Sequence, residues 1–320
     1  MTTDQLPYYV HCFTHLKRDA KNGGAPHKPV LLLSLIKLFE KGLISDNKIF
    51  ISPELVSVFK TIWSKLVVTN HSPIFALPFY HMSSEPFWQL MPNPGCEKWV
   101  ESKSSMRSFS NLMTAVNYAF IDMELSELLK KQQERDVLKL AILEKYFPDT
   151  KDNLIIGSVE LPSESILYET SETYRSKISE LKKSVDDNSF QEEIFIRGGL
   201  FKREIPKIYN NTCAISGLRI SATINVSMVD ACHIVPFAES YDDSLSNGIA
   251  LCPNLHRAFD RGLIAISDDY TVIVNSNFVE NKDSSFNFCQ FEGKRISLPM
   301  SKDLYPSLEN LAKHRNKFSL

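Results

Sequence analysis

Hydrophobic positions recur at helical spacing through much of the first half of the chain. Residues 30–36 are apolar on nearly every face, which predicts a buried helix opened by Pro29. Residues 55–66 carry an apolar stripe behind Ser52 and Pro53, a serine suited to capping and a proline suited to the first helical turn. Further helices are predicted over residues 5–22, 111–120 and 126–146.

Shorter patterns predict a small sheet among these helices. Residues 47–52 are typical of a short strand. The aromatic runs at residues 78–82 and 86–90 predict two more strands, joined as a hairpin through Ser83 and Ser84. The N-terminal part of the chain is therefore predicted to be helical with a few strands.

The pattern becomes less regular after residue 150. Residues 151–196 are polar and rich in loop-forming residues, with one polar helix over 174–183, and we interpret them as a linker. Regular structure then resumes. The order of predicted elements is an amphipathic lead-in at 197–209, a strand at 224–235, a polar loop at 238–248, a helix from Pro253 to Gly262, a strand at 270–274 and a last helix from Tyr305.

Reactive side chains concentrate between residues 230 and 260. His233 ends the predicted strand, Asn247 lies in the loop, and His256 and Asp260 are four residues apart on one helical face. Phosphodiester hydrolysis needs a base to activate water, a cation to neutralise the phosphate, and a group that holds the base in its tautomer. A lone histidine is more often structural than catalytic, but the joint spacing of these four residues favours a hydrolytic site.

The segments ACHIVPF and SNGIALCPNLHRAFDRGLI resemble the HNH, or ββα-metal, nuclease motif. The preceding FIRGGLFKREIPKIYNNTCAISGLR resembles the lead-in of that family, so the resemblance extends over residues 197–320. It implies an HNH endodeoxyribonuclease in which His233 is the general base and Asn247 orients that base or its loop. The same resemblance implies that His256 and Asp260 are metal ligands.

One position departs from the family pattern. Many members carry Asp or His directly before the first motif histidine, whereas this chain carries Cys232. In a strand, Asp230 and Cys232 project from the same side, opposite His233, so Asp230 is the candidate for a further carboxylate ligand. Oxygen ligands suit Mg²⁺ or Mn²⁺, whereas a thiol prefers softer ions such as Zn²⁺. We therefore expect a divalent metal, Mg²⁺ or Mn²⁺ first, with Zn²⁺, Co²⁺ and Ni²⁺ as alternatives.

A second resemblance lies near the N-terminus. HKPVLLLSL, followed by PFYHM and FWQL, resembles the DNA-binding domain of modification-dependent restriction endonucleases, whose members include the sulfur-binding domains for phosphorothioate DNA. It implies that His27 and Lys28 contact the DNA backbone, and that Leu77, Pro78 and His81 form the sulfur-accepting pocket. Sulfur is larger and less hydrated than oxygen, so an apolar cup suits it. Leu77 stands where relatives often have Tyr. A solvated helix start at His27 and a hairpin core around Pro78 are the structural alternatives.

The composition of the chain bears on how it could bind DNA and whether it holds structural zinc. The chain has 320 residues, 43% of them hydrophobic, and its 36 basic residues are balanced by 38 acidic ones. Any surface that binds DNA must therefore concentrate its positive charge locally. The six cysteines include no CxxC pair, which favours a reducing compartment over structural zinc. Neither a signal peptide nor a membrane-length apolar run is recognisable, so we expect a cytoplasmic protein with no membrane partner.

These features predict an α+β chain in three parts. A mixed helical DNA-binding domain with a small sheet spans residues 1–150, a partly helical linker spans 151–196, and a ββα-metal (HNH) nuclease domain spans 197–320. The predicted function is metal-dependent cutting of double-stranded, phosphorothioate-modified DNA in host defence. The alternatives are a sequence-specific HNH restriction endonuclease for unmodified DNA and a non-catalytic DNA-binding regulator. One motif cuts one strand at a time, so a double-strand break would involve a homodimer.

Overall fold

The computed structural model describes residues 5–20, 23–102, 105–155, 171–183, 187–220, 227–281, 284 and 286–320. These residues separate into two compact units, the first drawn from residues 1–164 and 185–196 and the second from 165–184 and 197–320. Helices and small antiparallel sheets give the α+β class that the sequence predicts. Among the described helices, none has the length and apolar character needed to span a bilayer.

The first unit consists of helices around a three-stranded antiparallel sheet in the order β1-β3-β2. Its elements are α1 (Leu6–Thr14), α2 (His27–Glu40), β1 (Lys48–Phe50), α3 (Pro53–Leu66), α4 (Ala76–His81), β2 (Trp88–Pro92), α5 (Glu97–Val100), α6 (Phe109–Ala115), β3 (Val116–Ile121), α7 (Met123–Lys130), α8 (Gln132–Tyr146) and α9 (Asp152–Ile155). Helix α2 is buried as predicted, although it begins two residues before Pro29. The predicted cap on α3 is also confirmed, because Ser52 Oγ accepts a hydrogen bond of 3.2 Å from the Leu55 amide.

The predicted aromatic hairpin is wrong. Residues 76–81 form α4 and Met82–Ser84 continues it as a 3-10 turn, so the first aromatic run is helical. Pro78 fits there because the amides of a first helical turn have no partner within the helix. Only Trp88–Pro92 is a strand, and it pairs with β3 rather than with the preceding run.

The helix predicted over residues 111–120 is wrong beyond Ala115. Val116–Ile121 is the central strand of the sheet, and Val116, Ala119 and Ile121 in it are buried. Its sequence VNYAFI is rich in β-branched and aromatic residues, which fit a pleated surface better than a helix. The helix predicted over 126–146 is two helices, α7 and α8, which meet at Lys131 in an extended conformation.

The second unit contains the reactive segment. Its helices and strands are α10 (Ser171–Lys183), the C-terminal part of α11 (Asp187–Ile208), β4 (Asp230–His233), α12 (Phe237–Ser240), β5 (Gly248–Leu251), α13 (Pro253–Asp260), β6 (Ile264–Ile266), β7 (Val272–Val274) and α14 (Leu308–Phe318). The predicted strand over 224–235 is paired only at Asp230–His233, and residues 221–226 lie outside the described ones. The last helix begins at Leu308 rather than at Tyr305.

Two antiparallel strand pairs and the helices α11, α13 and α14 contribute buried side chains to the core of this unit. Strands β4 and β5 pair antiparallel, as do β6 and β7. Helix α11 packs closely against the start of β5, because a Cβ added at Gly248 would overlap Ile205 Cδ1 and would lie 2.8 Å from Phe201 Cε2. Glycine at this position therefore allows the helix to approach the strand that follows the polar loop.

Candidate active site

The site is built on the β4–β5 hairpin and on α13, which follows directly. Asp230 pairs with Leu251 and His233 with Gly248, so the pairing fixes the whole of β4. Pro253 occupies the first turn of α13, and Gly262, at a φ of +66°, follows its C-terminus, both as the sequence predicts. The hairpin and the helix thus bring residues 24–30 positions apart into one small site.

Three side chains form a cluster suited to a metal ion. One ligand atom each from Cys232, His256 and Asp260 lies within 4.8 Å of the other two. Cys232 Sγ is 3.9 Å from Asp260 Oδ1, and His256 Nε2 is 3.4 Å from Asp260 Oδ2. The structure therefore brings together the two helical ligands predicted from the sequence and adds Cys232 to them.

Asp230, the predicted further ligand, lies on the other side of the His256 ring. Its Oδ2 is 3.4 Å from His256 Nδ1, whereas Asp260 approaches Nε2. A carboxylate on the remaining ring nitrogen is the usual partner that orients a metal-binding imidazole. The geometry thus gives Asp230 an orienting position and Cys232 the position of the third donor.

The donor chemistry of this cluster fits a divalent transition metal. Burial raises the pKa of the Cys232 thiol well above its ordinary value, and the negative charges of Asp260 and Asp230 raise it further. A bound cation would reverse that balance, because metals bind thiols in the deprotonated form. Sulfur, imidazole nitrogen and carboxylate oxygen together are a donor set typical of zinc and similar ions.

His233 lies on the opposite side of β4 from Cys232. Its ring stacks on Phe201 at a centroid distance of 3.9 Å and an interplanar angle of 10°. Its Nε2 lies 2.8 Å from Asp243 Oδ1, and the Asp243 side chain is only 3% exposed. Neither partner was predicted, because two adjacent aspartates in a polar loop and one aromatic residue on a helix carry no distinguishing signal in the sequence.

Asn247 is fully buried at the centre of a backbone network. Its Oδ1 accepts a hydrogen bond from the Val235 amide, and its Nδ2 donates to the carbonyl oxygens of Val235 and Asp242. Asn310 of α14 donates a further hydrogen bond of 3.1 Å to the same Oδ1. These contacts hold the loop that follows His233, and none of them is to the His233 ring.

The first unit contains a large open cavity of about 760 Å³. It is lined by all five residues that the second resemblance implicates and by several cationic side chains. The lining residues are Lys17, Arg18, Asp19, Ala25, His27, Lys28, His71, Ile74, Leu77, Pro78, His81, Ser84, Arg107 and Asn188. The cavity therefore combines apolar surface with a local concentration of positive charge, although the whole chain is nearly neutral.

His27 and Lys28 are buried, so the alternative of a solvated helix start is wrong. His27 packs against Trp63 and donates from Nε2 to the Ser72 carbonyl at 2.9 Å, and burial lowers its pKa to about 4. The Lys28 ammonium donates to Ser84 Oγ at 2.7 Å and pairs with the buried carboxylate of Glu85. Both side chains are thus held by protein partners in the wall of the cavity.

Three cationic side chains of the cavity are more exposed than Lys28, and the sequence did not predict them as DNA-binding residues. Lys17 and Arg107 are exposed, and Arg18 is half-buried. The Arg18 guanidinium lies 4.3 Å from the centre of the Tyr146 ring and donates to the Ala25 carbonyl at 3.1 Å. These two contacts hold the Arg18 guanidinium, so its positive charge has a fixed position in the wall of the cavity.

One family match falls within the second unit. Residues 213–267 match the HNH endonuclease family. A solved structure described as a modification-dependent TagI restriction endonuclease is similar at 21% identity, with a TM-score of 0.27, over 38% of this chain and 38% of that one. No curated protein matches the chain. The family match spans β4, β5 and α13, and residues 213–267 therefore form an HNH endonuclease domain.

Proposed function

We propose that the chain is a metal-dependent DNA endonuclease whose first unit selects phosphorothioate-modified DNA. The nuclease activity is proposed from the cluster of Cys232, His256 and Asp260, which lies within the segment that matches the HNH endonuclease family. Cys232 of this cluster directly precedes His233 in β4, and we propose that the metal-binding group and this base act on one phosphate at the end of the strand.

In this proposal, the residues of the second unit have distinct roles. His233 accepts a proton from the attacking water, and Cys232, His256 and Asp260 would hold a divalent cation. A cation bound there supplies positive charge to the scissile phosphate and to the leaving oxygen. Asn247 holds the loop after β4 through the Val235 and Asp242 backbone, which keeps His233 at the end of its strand.

The first unit supports the selection of modified DNA. Leu77 and Pro78 contribute apolar surface to the cavity. A sulfur atom is less hydrated than an oxygen atom, so it loses less hydration free energy when it moves against such a surface. Lys17, Arg18 and Arg107 supply charge for the neighbouring phosphates. His27 and Lys28 act in this proposal as parts of the cavity wall, and His81 lines the cavity beside them.

Cleavage of matched plasmids tests this proposal. Two preparations of one plasmid, with and without backbone phosphorothioate, are incubated with the full chain and Mg²⁺, Mn²⁺, Co²⁺, Ni²⁺ or Zn²⁺. We expect cutting of the sulfur-containing plasmid with at least one metal, loss of cutting with a chelator, and much slower cutting of the other plasmid.

The other outcomes separate the alternatives. Equal cutting of both plasmids at defined positions would identify a sequence-specific endonuclease and reject sulfur selection. Binding without cutting at any metal would identify a DNA-binding regulator and reject the nuclease. Release of linear rather than nicked plasmid in a single step would support the proposed homodimer, because each chain contributes one such site among its described residues.

A further inference from the structure

We propose that Asp243 is the positioning residue of His233, and that it fixes the tautomer in which the Nδ1 atom takes the proton from water. The proposal rests on the proposed role of His233 as the base. It assigns a function to a loop carboxylate outside the His–Asn–His motif.

The contact between the two side chains determines the tautomer. Asp243 Oδ1 lies 2.8 Å from His233 Nε2, and an ionised carboxylate can only accept hydrogen bonds. The hydrogen of the neutral ring is therefore on Nε2. Across the residues that the structure describes, Nδ1 has no hydrogen-bond partner on the protein, and the His233 side chain is 23% exposed. Nδ1 is thus the nitrogen with a lone pair available to water.

The surroundings hold both groups in place. Phe201 stacks on the imidazole at 3.9 Å, which fixes the plane of the ring. The Asp243 side chain is 3% exposed, and its Oδ2 lies 3.7 Å from the position of a Cβ added at Gly198. The carboxylate is therefore enclosed beside α11, and its orientation does not depend on solvent.

Asn247 does not compete for this role. Its amide oxygen and nitrogen are engaged by Val235, Asp242 and Asn310. The motif asparagine therefore fixes the loop, and Asp243, four residues earlier in that loop, contacts the ring. When water transfers a proton to Nδ1, Nε2 keeps its own hydrogen and Asp243 stays ionised. The carboxylate then stabilises the imidazolium that forms.

Nitrogen-15 NMR of the full chain without metal tests the tautomer directly. Long-range couplings between ring hydrogens and nitrogens distinguish the two neutral forms, and the His233→Ala variant identifies the signals. In alkaline buffer we expect Nε2 to carry the hydrogen in the wild type. In Asp243→Asn, we expect hydrogen on Nδ1 in part or all of the molecules, because the amide can donate to Nε2.

Kinetics on a cleavable DNA supply the second readout. We expect Asp243→Asn to lower kcat by roughly 10²-fold or more with KM changed less than about threefold, because the base and not DNA binding is affected. Asp243→Glu should recover part of kcat, since the carboxylate is kept. Asp268→Asn, the same change at an aspartate whose side chain is 67% exposed, is the matched control and should retain the wild-type rate.

Wild-type protein with hydrogen on Nδ1 would overturn the proposal, even if Asp243→Asn fails to fold. So would a folded Asp243→Asn variant with unchanged kcat and unchanged ring nitrogens. Absence of cleavage by the wild type at every metal would reject the nuclease function, while the tautomer measurement would still decide whether Asp243 positions the ring.

Discussion

Cys232 Sγ lies 3.9 Å from Asp260 Oδ1, so the strand that ends at His233 also presents a sulfur donor to α13. Oxygen-only ligand sets suit Mg²⁺ or Mn²⁺, but this cluster contains a buried thiol and an imidazole. The proposed site is therefore expected to bind Zn²⁺, Co²⁺ or Ni²⁺ more tightly than Mg²⁺.

Substitution of that thiol is the first prediction. Cys232→Ser should weaken Co²⁺ binding by at least about tenfold and remove the sulfur-to-cobalt absorption band, because a hydroxyl is a poor substitute for a thiolate. Calorimetry and absorption spectroscopy measure the two effects. Cys289→Ser, at an exposed cysteine that is not a member of the cluster, is the control and should leave both unchanged. Identical Co²⁺ spectra for the Cys232→Ser protein and the wild type would exclude sulfur ligation.

The second prediction concerns the buried pair of Asn247 and Asn310. Asn247→Ala leaves the Val235 amide and two backbone carbonyls without their side-chain partners inside the protein. Each such group costs about 1–3 kcal/mol, so we expect the second unit to lose at least about 3 kcal/mol of unfolding free energy. Denaturant unfolding, followed by circular dichroism, measures this loss of unfolding free energy.

A double-mutant cycle with Asn310→Ala tests the link between the loop and α14. The two substitutions share one hydrogen bond of 3.1 Å, so their effects should not add. Strict additivity within about 0.3 kcal/mol would show that the two amides act independently and that the network is not cooperative.

The third prediction is a loss of stability of the first unit in acid. Burial lowers the pKa of His27 from 6.5 to about 4, so the folded unit keeps this ring neutral while the unfolded chain takes up a proton. The contribution of the neutral His27 ring to the stability of the first unit is fully present above pH 6.5 and is lost as the pH falls towards about 4. It amounts to at most about 3 kcal/mol.

Tryptophan fluorescence can isolate this effect. Trp63, Trp88 and Trp99 account for all 3 tryptophans and lie in the first unit, so fluorescence-detected unfolding reports on that unit alone. Replacing His27 with Gln should flatten the dependence of unfolding free energy on pH in this window. His15→Gln, at an exposed histidine, should not. An unchanged slope in the His27→Gln protein would place the acid sensitivity elsewhere.

The sequence was most informative where local pattern and chemistry agree. Ser52 and Pro53 set the start of α3, and the spacing of His256 and Asp260 placed both on one side of α13, where they now form part of one cluster. These features depend on neighbours within a few residues, so periodicity and capping rules are sufficient to find them.

Features that depend on distant partners were missed. Residues 116–121 form the central strand between β1 and β2, and residues 76–81 form a helix that buries Phe79 and Tyr80 in the core. Asp243 reaches His233 only after the loop folds back, and Lys28 became buried because Glu85, far along the chain, neutralises it. Single-sequence patterns contain none of these long-range pairings.

Plasmid nicking by His233→Ala alongside wild type, with DNA binding measured on the same preparations, tests the role of this histidine most directly. We expect nicking to fall by about 10²–10⁴-fold while the dissociation constant for DNA stays close to the wild-type value, because only the base is removed. Nicking at the wild-type rate by the folded His233→Ala protein would contradict the assignment of this imidazole as the base.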